Sequence, residues 1–207
     1  MPTLLPRSAP RWFTDPIVDL LARAGVTPNM LTIMGVGGNI LAAVLAGSGE
    51  FLAAGILVLA SSSLDMLDGA LARATGTATA FGSVFDAVMD RVSEAAVLFG
   101  LLVYFGDIGR TEDQELAFIA VVASLLVSYI RARAEIVGIE LREGVFSRAP
   151  RILVLSAGLV LEPYWDVWES SVHIMLWVLA IMSTFTAVQR LVLVAMKARR
   201  NANGKED

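Results

Sequence analysis

Six apolar runs, each bounded by polar or glycine-rich breaks, decide what this chain can fold into. They cover residues 31–46, 51–73, 81–105, 116–137, 150–161 and 172–197, give or take a residue or two. In lipid the backbone of such a run has only itself to hydrogen-bond, so each run must be a helix. Composition agrees: 56% of the 207 residues are hydrophobic and only 17% are charged, against about a quarter charged in a soluble domain. The expected fold class is all-α, an integral membrane protein with six transmembrane helices. The fifth run is the shortest and is stopped by Glu162-Pro163.

Three regions are expected. Residues 1–30 form an N-terminal interfacial segment, 31–197 the membrane domain and 198–207 a polar, disordered cytoplasmic tail. The first region carries Pro2, Pro6, Pro10 and Pro16 and lacks the clean apolar core of a signal peptide. Its stretch RWFTDPIVDLLARAG reads as an amphipathic helix at the membrane surface. Trp12, Phe13, Ile17, Leu20 and Leu21 would lie on the apolar face, and Arg11 and Arg23 at the headgroups. With six spans both termini share a side. Of the 16 Lys and Arg residues only Arg110 falls opposite, which puts that shared side in the cytoplasm. Trp165 and Trp168 then belong to the outer interfacial belt.

Against this apolar background, Asp65, Asp68, Asp86 and Asp90 stand out. A carboxylate at the centre of a span costs about 2.5–3.5 kcal/mol on insertion scales. Four together need positive charge among them. Asp65 and Asp68 share one helix face by their spacing, and Asp86 and Asp90 share another. Gly76 and a threonine-rich turn between them let the two helices run antiparallel, so both faces can meet at the cytoplasmic end. Cysteine is absent and His173 is the single histidine, which excludes thiolate sites and disfavours zinc and copper. An all-oxygen pocket of this kind suits one or two hard divalent cations, which can clamp a diphosphate. Gly69 and Gly82 would let a ligand or backbone approach closely, and Arg73 is suited to a phosphate. A structural role or an ion pathway is the competing explanation for acids in such a place.

The acids belong to a longer pattern, D-x-x-D-G-x-x-A-R-x8-G-x-x-x-D-x-x-x-D. It is filled here by Asp65, Asp68, Gly69, Ala72, Arg73, Gly82, Asp86 and Asp90. On that pattern the chain resembles the CDP-alcohol phosphotransferase family over nearly its whole length. The resemblance implies an enzyme that displaces CMP from a CDP-linked alcohol by attack of a second alcohol. It implies two Mg2+ ions, with Mn2+ as a substitute, on Asp65, Asp68, Asp86 and Asp90. Asp90 would also accept the proton of the attacking hydroxyl. Gly69, Arg73 and Thr79 would contact the nucleotide end of CDP-diacylglycerol. So would the approach to the first span, with Asn29, Met30, Leu31 and Thr32. Taken alone, Thr27-Pro28-Asn29 is simply a capped helix start.

The second alcohol is read from arginines. Arg131, Arg151 and Arg190 lie within or at the edge of apolar runs, where a cation needs a partner. Too few acids remain near them once the aspartates hold metal, so an anionic substrate is expected to pair with all three. Snorkelling at helix ends is the alternative. The stretch Ser128-Tyr129-Ile130-Arg131-Ala132-Arg133-Ala134-Glu135, with Arg148, Arg151, Gln189 and Arg190, resembles the phosphatidylinositol phosphate synthase subgroup. By that resemblance Ser128, Arg131, Arg151 and Arg190 bind the phosphate of inositol 1-phosphate. Many members have lysine where this chain has Arg131. The implied partners are membrane lipid, CDP-diacylglycerol, a small phosphorylated alcohol and a second copy in a homodimer, with no nucleic acid. Glycerol 3-phosphate as acceptor, an archaeal ether-lipid donor and a transporter are the rival readings. Three further expectations concern packing: Gly35 and Gly38 serve close helix contact, His173 is interfacial, and Glu94 is placed to pair with an arginine.

Overall fold

In the computed structural model, residues 11–141, 143–164 and 170–203 are described. They form seven helices: α1 (Arg11–Arg23), α2 (Pro28–Gly47), α3 (Phe51–Thr75), α4 (Ala80–Asp107), α5 (Thr111–Ile136), α6 (Arg148–Leu161) and α7 (Ser171–Asn203). No strand occurs among the described residues. A single 3-10 turn, Glu162–Tyr164, follows α6.

Local chemistry sets the helix ends. Thr27 caps α2, its hydroxyl accepting from the Met30 N–H, and Pro28 takes the first helical position, where its missing N–H costs nothing. Gly76 ends α3 in the left-handed conformation at φ 65°, a region that disfavours a side chain. Three residues later Thr79 caps α4, accepting from the Gly82 N–H at 2.9 Å. This tight connection reverses the chain between α3 and α4, and α4 then packs along α2 and α5 rather than along α3.

Packing closes α2 to α7 into a ring. α2 touches α3 and α4, α4 touches α5, α5 touches α7, α7 touches α6, and α6 returns to α3. Leu98, Leu101, Phe105, Leu155, Leu159, Leu176 and Leu179 fill the shared core. Glycines let backbones meet: an added Cβ on Gly100 would run into the Ala43 carbonyl, and one on Gly55 would come within 2.9 Å of the Val160 nitrogen. Gly35 and Gly38 play the expected role, facing Asp65 and Ser61 of α3. Large apolar side chains instead cover the outside, among them Ile33, Ile40, Phe118, Leu125, Ile181 and Phe185. So much outward apolar surface fits lipid rather than water.

Four helices are long and apolar enough to cross a membrane: α2, α3, α5 and α7. The protein is therefore membrane-integral. α4 has the length, at 28 residues, but carries Asp86, Asp90, Arg91 and Glu94 in its first half. α6 has 14 residues and so extends about 21 Å.

Other expectations change. α1 forms where the amphipathic segment was read, and Val18 packs against Leu31 and Leu71, while Leu20 is exposed. The side chains of Arg11, Trp12 and Phe13 lie outside the described residues, as do Trp165 and Trp168. Helix α7 does not stop at residue 197 but runs to Asn203, because its last residues are mostly good helix formers with Arg200 favouring the C-terminal dipole. His173, near the start of α7, is 7% exposed, and its Nδ1 lies 2.5 Å from Asp113, which also pairs with Arg110. That buried link ties the start of α5 to the start of α7.

Candidate active site

The end of α3 and the start of α4 bring the four aspartates together, but not in the groupings that spacing implies. The acids pair across the helices. Asp68 and Asp86 open onto a cavity of about 420 Å³, while Asp65 and Asp90 grip one guanidinium. Asp68 is 4% exposed and accepts from the Thr32 hydroxyl at 2.6 Å, which draws α2 into the site. Gly35, one helical turn on, makes room for Asp65: a Cβ there would sit 2.5 Å from its Oδ1.

Asn29, Thr32, Gly69, Arg73 and Thr79 all line the cavity, as expected of residues at the nucleotide end. Met30 and Leu31 do not. Met30 points outward at 49% exposure, and Leu31 is buried against Val18 and Leu71. In a helix adjacent residues face different ways, so only Asn29 and Thr32 of this stretch turn inward. Pro28, Thr77, Ala78, Gly82 and Ser83 complete the wall together with Ala72.

The guanidinium between Asp65 and Asp90 belongs to Arg148, at the first position of α6. Its Nη2 lies 2.7 Å from Asp65 Oδ2 and 2.8 Å from Asp90 Oδ1. Arg91 approaches Asp90 more loosely, at 4.0 Å. Four carboxylates against two guanidinium groups leave a formal excess of −2 in a partly buried place. That excess, and a donor set made only of carboxylate oxygen, fit hard divalent cations. Among the described residues no three of these acids are gathered into a coordination cluster. Arg148 lies between two of them instead.

The arginines expected to bind an acceptor correct one premise. Acids are not lacking near them. Arg151, 2% exposed, meets Glu94 through Nε at 2.6 Å and Nη2 at 2.9 Å, and its Nη1 donates to the Phe146 carbonyl. Arg131 pairs with Glu135 one turn on, at the surface. Arg190 is 5% exposed and donates to the backbone carbonyls of Val127 and Glu143. Arg131, Arg151 and Arg190 nevertheless lie close enough for their charges to interact, gathering cations from the end of α5, the start of α6 and the middle of α7. Ser128 is half-buried on α5, one turn before Arg131. The Glu94–Arg151 pair joins positions 57 apart in the chain. Glu94 was recognisable as a partner for an arginine, but no local spacing says which.

A ring of helices, four of them long and apolar enough to cross a membrane, with acids and arginines set beside a cavity, defines a class: an integral membrane protein with a charged site. Comparison narrows the class. The family model of the CDP-alcohol phosphatidyltransferases matches residues 25–189, and the chain belongs to that family. Phosphatidylinositol phosphate synthase of Mycobacteroides abscessus is 37% identical over 194 residues, covering 92% of this chain and 87% of the relative. Archaetidylinositol phosphate synthase of Pyrococcus horikoshii is 36% identical, covering 83% of this chain and 85% of that protein. The crystal structure of Mycobacterium tuberculosis phosphatidylinositol phosphate synthase with CDP-DAG bound superposes with a TM-score of 0.81. Its identity is 36%, and it covers 87% of this chain and 92% of that one. The same protein in complex with manganese and citrate gives 0.80.

Proposed function

We propose that this enzyme transfers the phosphatidyl group of CDP-diacylglycerol to an inositol phosphate, giving phosphatidylinositol phosphate and CMP. The observation that carries the reading is the aspartate pattern in a chain of this family, with Asp68 and Asp86 opening on a cavity and Asp65 and Asp90 held beside it by Arg148. The names of its relatives support the acceptor over glycerol 3-phosphate. The CDP-DAG complex of the tuberculosis protein supports the donor.

The chain's own residues divide the work. Asn29, Thr32, Gly69, Arg73 and Thr79 line the place for the nucleotide end. Two Mg2+ ions, or Mn2+, held by Asp65, Asp68, Asp86 and Asp90 would screen the diphosphate and make CMP a better leaving group. Ser128, Arg131, Arg151 and Arg190 bind the acceptor phosphate, with Arg151 oriented by Glu94. The acceptor hydroxyl oxygen bonds to the phosphatidyl phosphorus, the bond from that phosphorus to the bridging oxygen breaks, and CMP carries the oxygen away. Asp90 takes the hydroxyl proton.

In this proposal α4 and α6 complete six spans, α6 with the help of the 3-10 turn. α1 lies at the interface in residues 1–30, 31–197 form the catalytic domain, and the polar tail, both termini and the site face the cytoplasm. Two copies form a homodimer. Purified protein with CDP-diacylglycerol and Mg2+ would be given inositol 1-phosphate or glycerol 3-phosphate in turn. Lipid product with the first alone is the expected result. Product with the second alone moves the acceptor to the rival reading.

A further inference from the structure

Three guanidinium groups beside the site are held in different ways. Arg151 has a bidentate acid and a carbonyl, and Arg190 has two carbonyls, all outside the aspartate set. Among the described residues, Arg148 is bonded only to Asp65 and Asp90, two of the residues read as metal ligands, and its buried Nε has no hydrogen-bond partner. Arginine cannot shed its charge to adapt, and a buried N–H without an acceptor is costly. The arrangement suits one state of the protein and leaves Arg148 ready for another.

We propose that Arg148 is an exchangeable counter-ion. In the metal-free protein it stands in for a cation by bridging Asp65 and Asp90 across α3 and α4, which would otherwise repel. When divalent cations take the aspartates, the guanidinium gives way. Its freed N–H groups, Nε included, then donate to a phosphate oxygen of an anionic substrate. Cation loading thus comes before the anion site is complete. The placement of Arg148 favours such a move: it is the first residue of α6, and the Ser147 side chain makes no capping hydrogen bond. Arg151, one turn further, keeps α6 anchored to α4 throughout.

The inference rests on the reading that the aspartates bind divalent cations, and the test separates the two. Metal-stripped protein in detergent is titrated with Mn2+, free Mn2+ being followed by electron paramagnetic resonance. No substrate is present. In parallel, arginine modification by phenylglyoxal is mapped by mass spectrometry with and without Mn2+. The expected result is that Mn2+ binds and raises modification of Arg148 severalfold, while Arg151 is unchanged as an internal control. Arg148→Gln is expected to bind Mn2+ roughly tenfold more tightly, since it removes the charge that a single Nη2 places between Asp65 and Asp90, whereas Arg148→Lys, able to place one ammonium there, is expected to stay near wild type. Mn2+ binding with Arg148 modification unchanged or reduced overturns the exchange. So does wild-type affinity in Arg148→Gln, which would show that the guanidinium does not compete with the cation for Asp65 and Asp90. No Mn2+ binding to the wild-type protein overturns the cation reading itself, and the exchange with it.

Discussion

Asp90 and Glu94 sit one turn apart on α4 and do opposite work. Asp90 meets Arg148 at the edge of the acidic site; Glu94 is buried on Arg151. Asp90→Asn keeps the size and removes the basic oxygen. It is expected to abolish turnover while CDP-diacylglycerol binding survives, measured by titration calorimetry beside a CMP assay; retained turnover removes Asp90 as the base. Glu94→Ala instead leaves a guanidinium 2% exposed without its acid. Such a loss costs about 3–5 kcal/mol, seen as a lower unfolding midpoint in detergent, and a midpoint unchanged from wild type would show that the pair contributes little. The identity of all four aspartates could be read from the sequence because their spacing is a helical one. Their pairing across helices could not, since it depends on the angle at which α3 and α4 meet and on an arginine 83 positions from Asp65.

Helix boundaries were legible where a side chain or a proline fixes the backbone, as at Thr27-Pro28 and at Gly76 with Thr79. They were less so where context decides. α7 outlasts its apolar run because helix propensity continues after hydrophobicity stops. His173 gave no sign of its acid partner, which is 60 residues away on another helix. The α3–α4 turn offers the cleanest test of a local rule. Gly76→Ala forces a Cβ into the left-handed region, which costs about 1–2 kcal/mol. A matching fall in the thermal midpoint is expected, and no fall would mean that the turn relaxes to another conformation.

The closed ring of α2 to α7 explains how a chain this apolar can hold charge: the aspartates meet Arg148 where α3, α4 and α6 come together, Asp113 meets Arg110 and His173 at the starts of α5 and α7, and apolar side chains cover the outside. Its topology is open to direct labelling, because the chain has no native cysteine. Val137→Cys and Asp107→Cys place single thiols at opposite ends of α5 and α4 respectively. In intact cells a membrane-impermeant maleimide is expected to label the variant at 107 and spare the one at 137; the reverse pattern turns the protein over in the membrane. The family, the apolar runs and the acids were all visible in the chain before the structure. The arrangement of cations was not, because each arginine found its partner only through tertiary packing. The chemistry itself is tested most directly by CMP release from CDP-diacylglycerol and inositol 1-phosphate by the purified protein, with Mg2+ and after chelation. CMP and phosphatidylinositol phosphate formed in equal amounts with Mg2+, and lost on chelation, are the expected result. No CMP in the presence of Mg2+ and acceptor, from protein shown to be folded, would contradict the transferase reading.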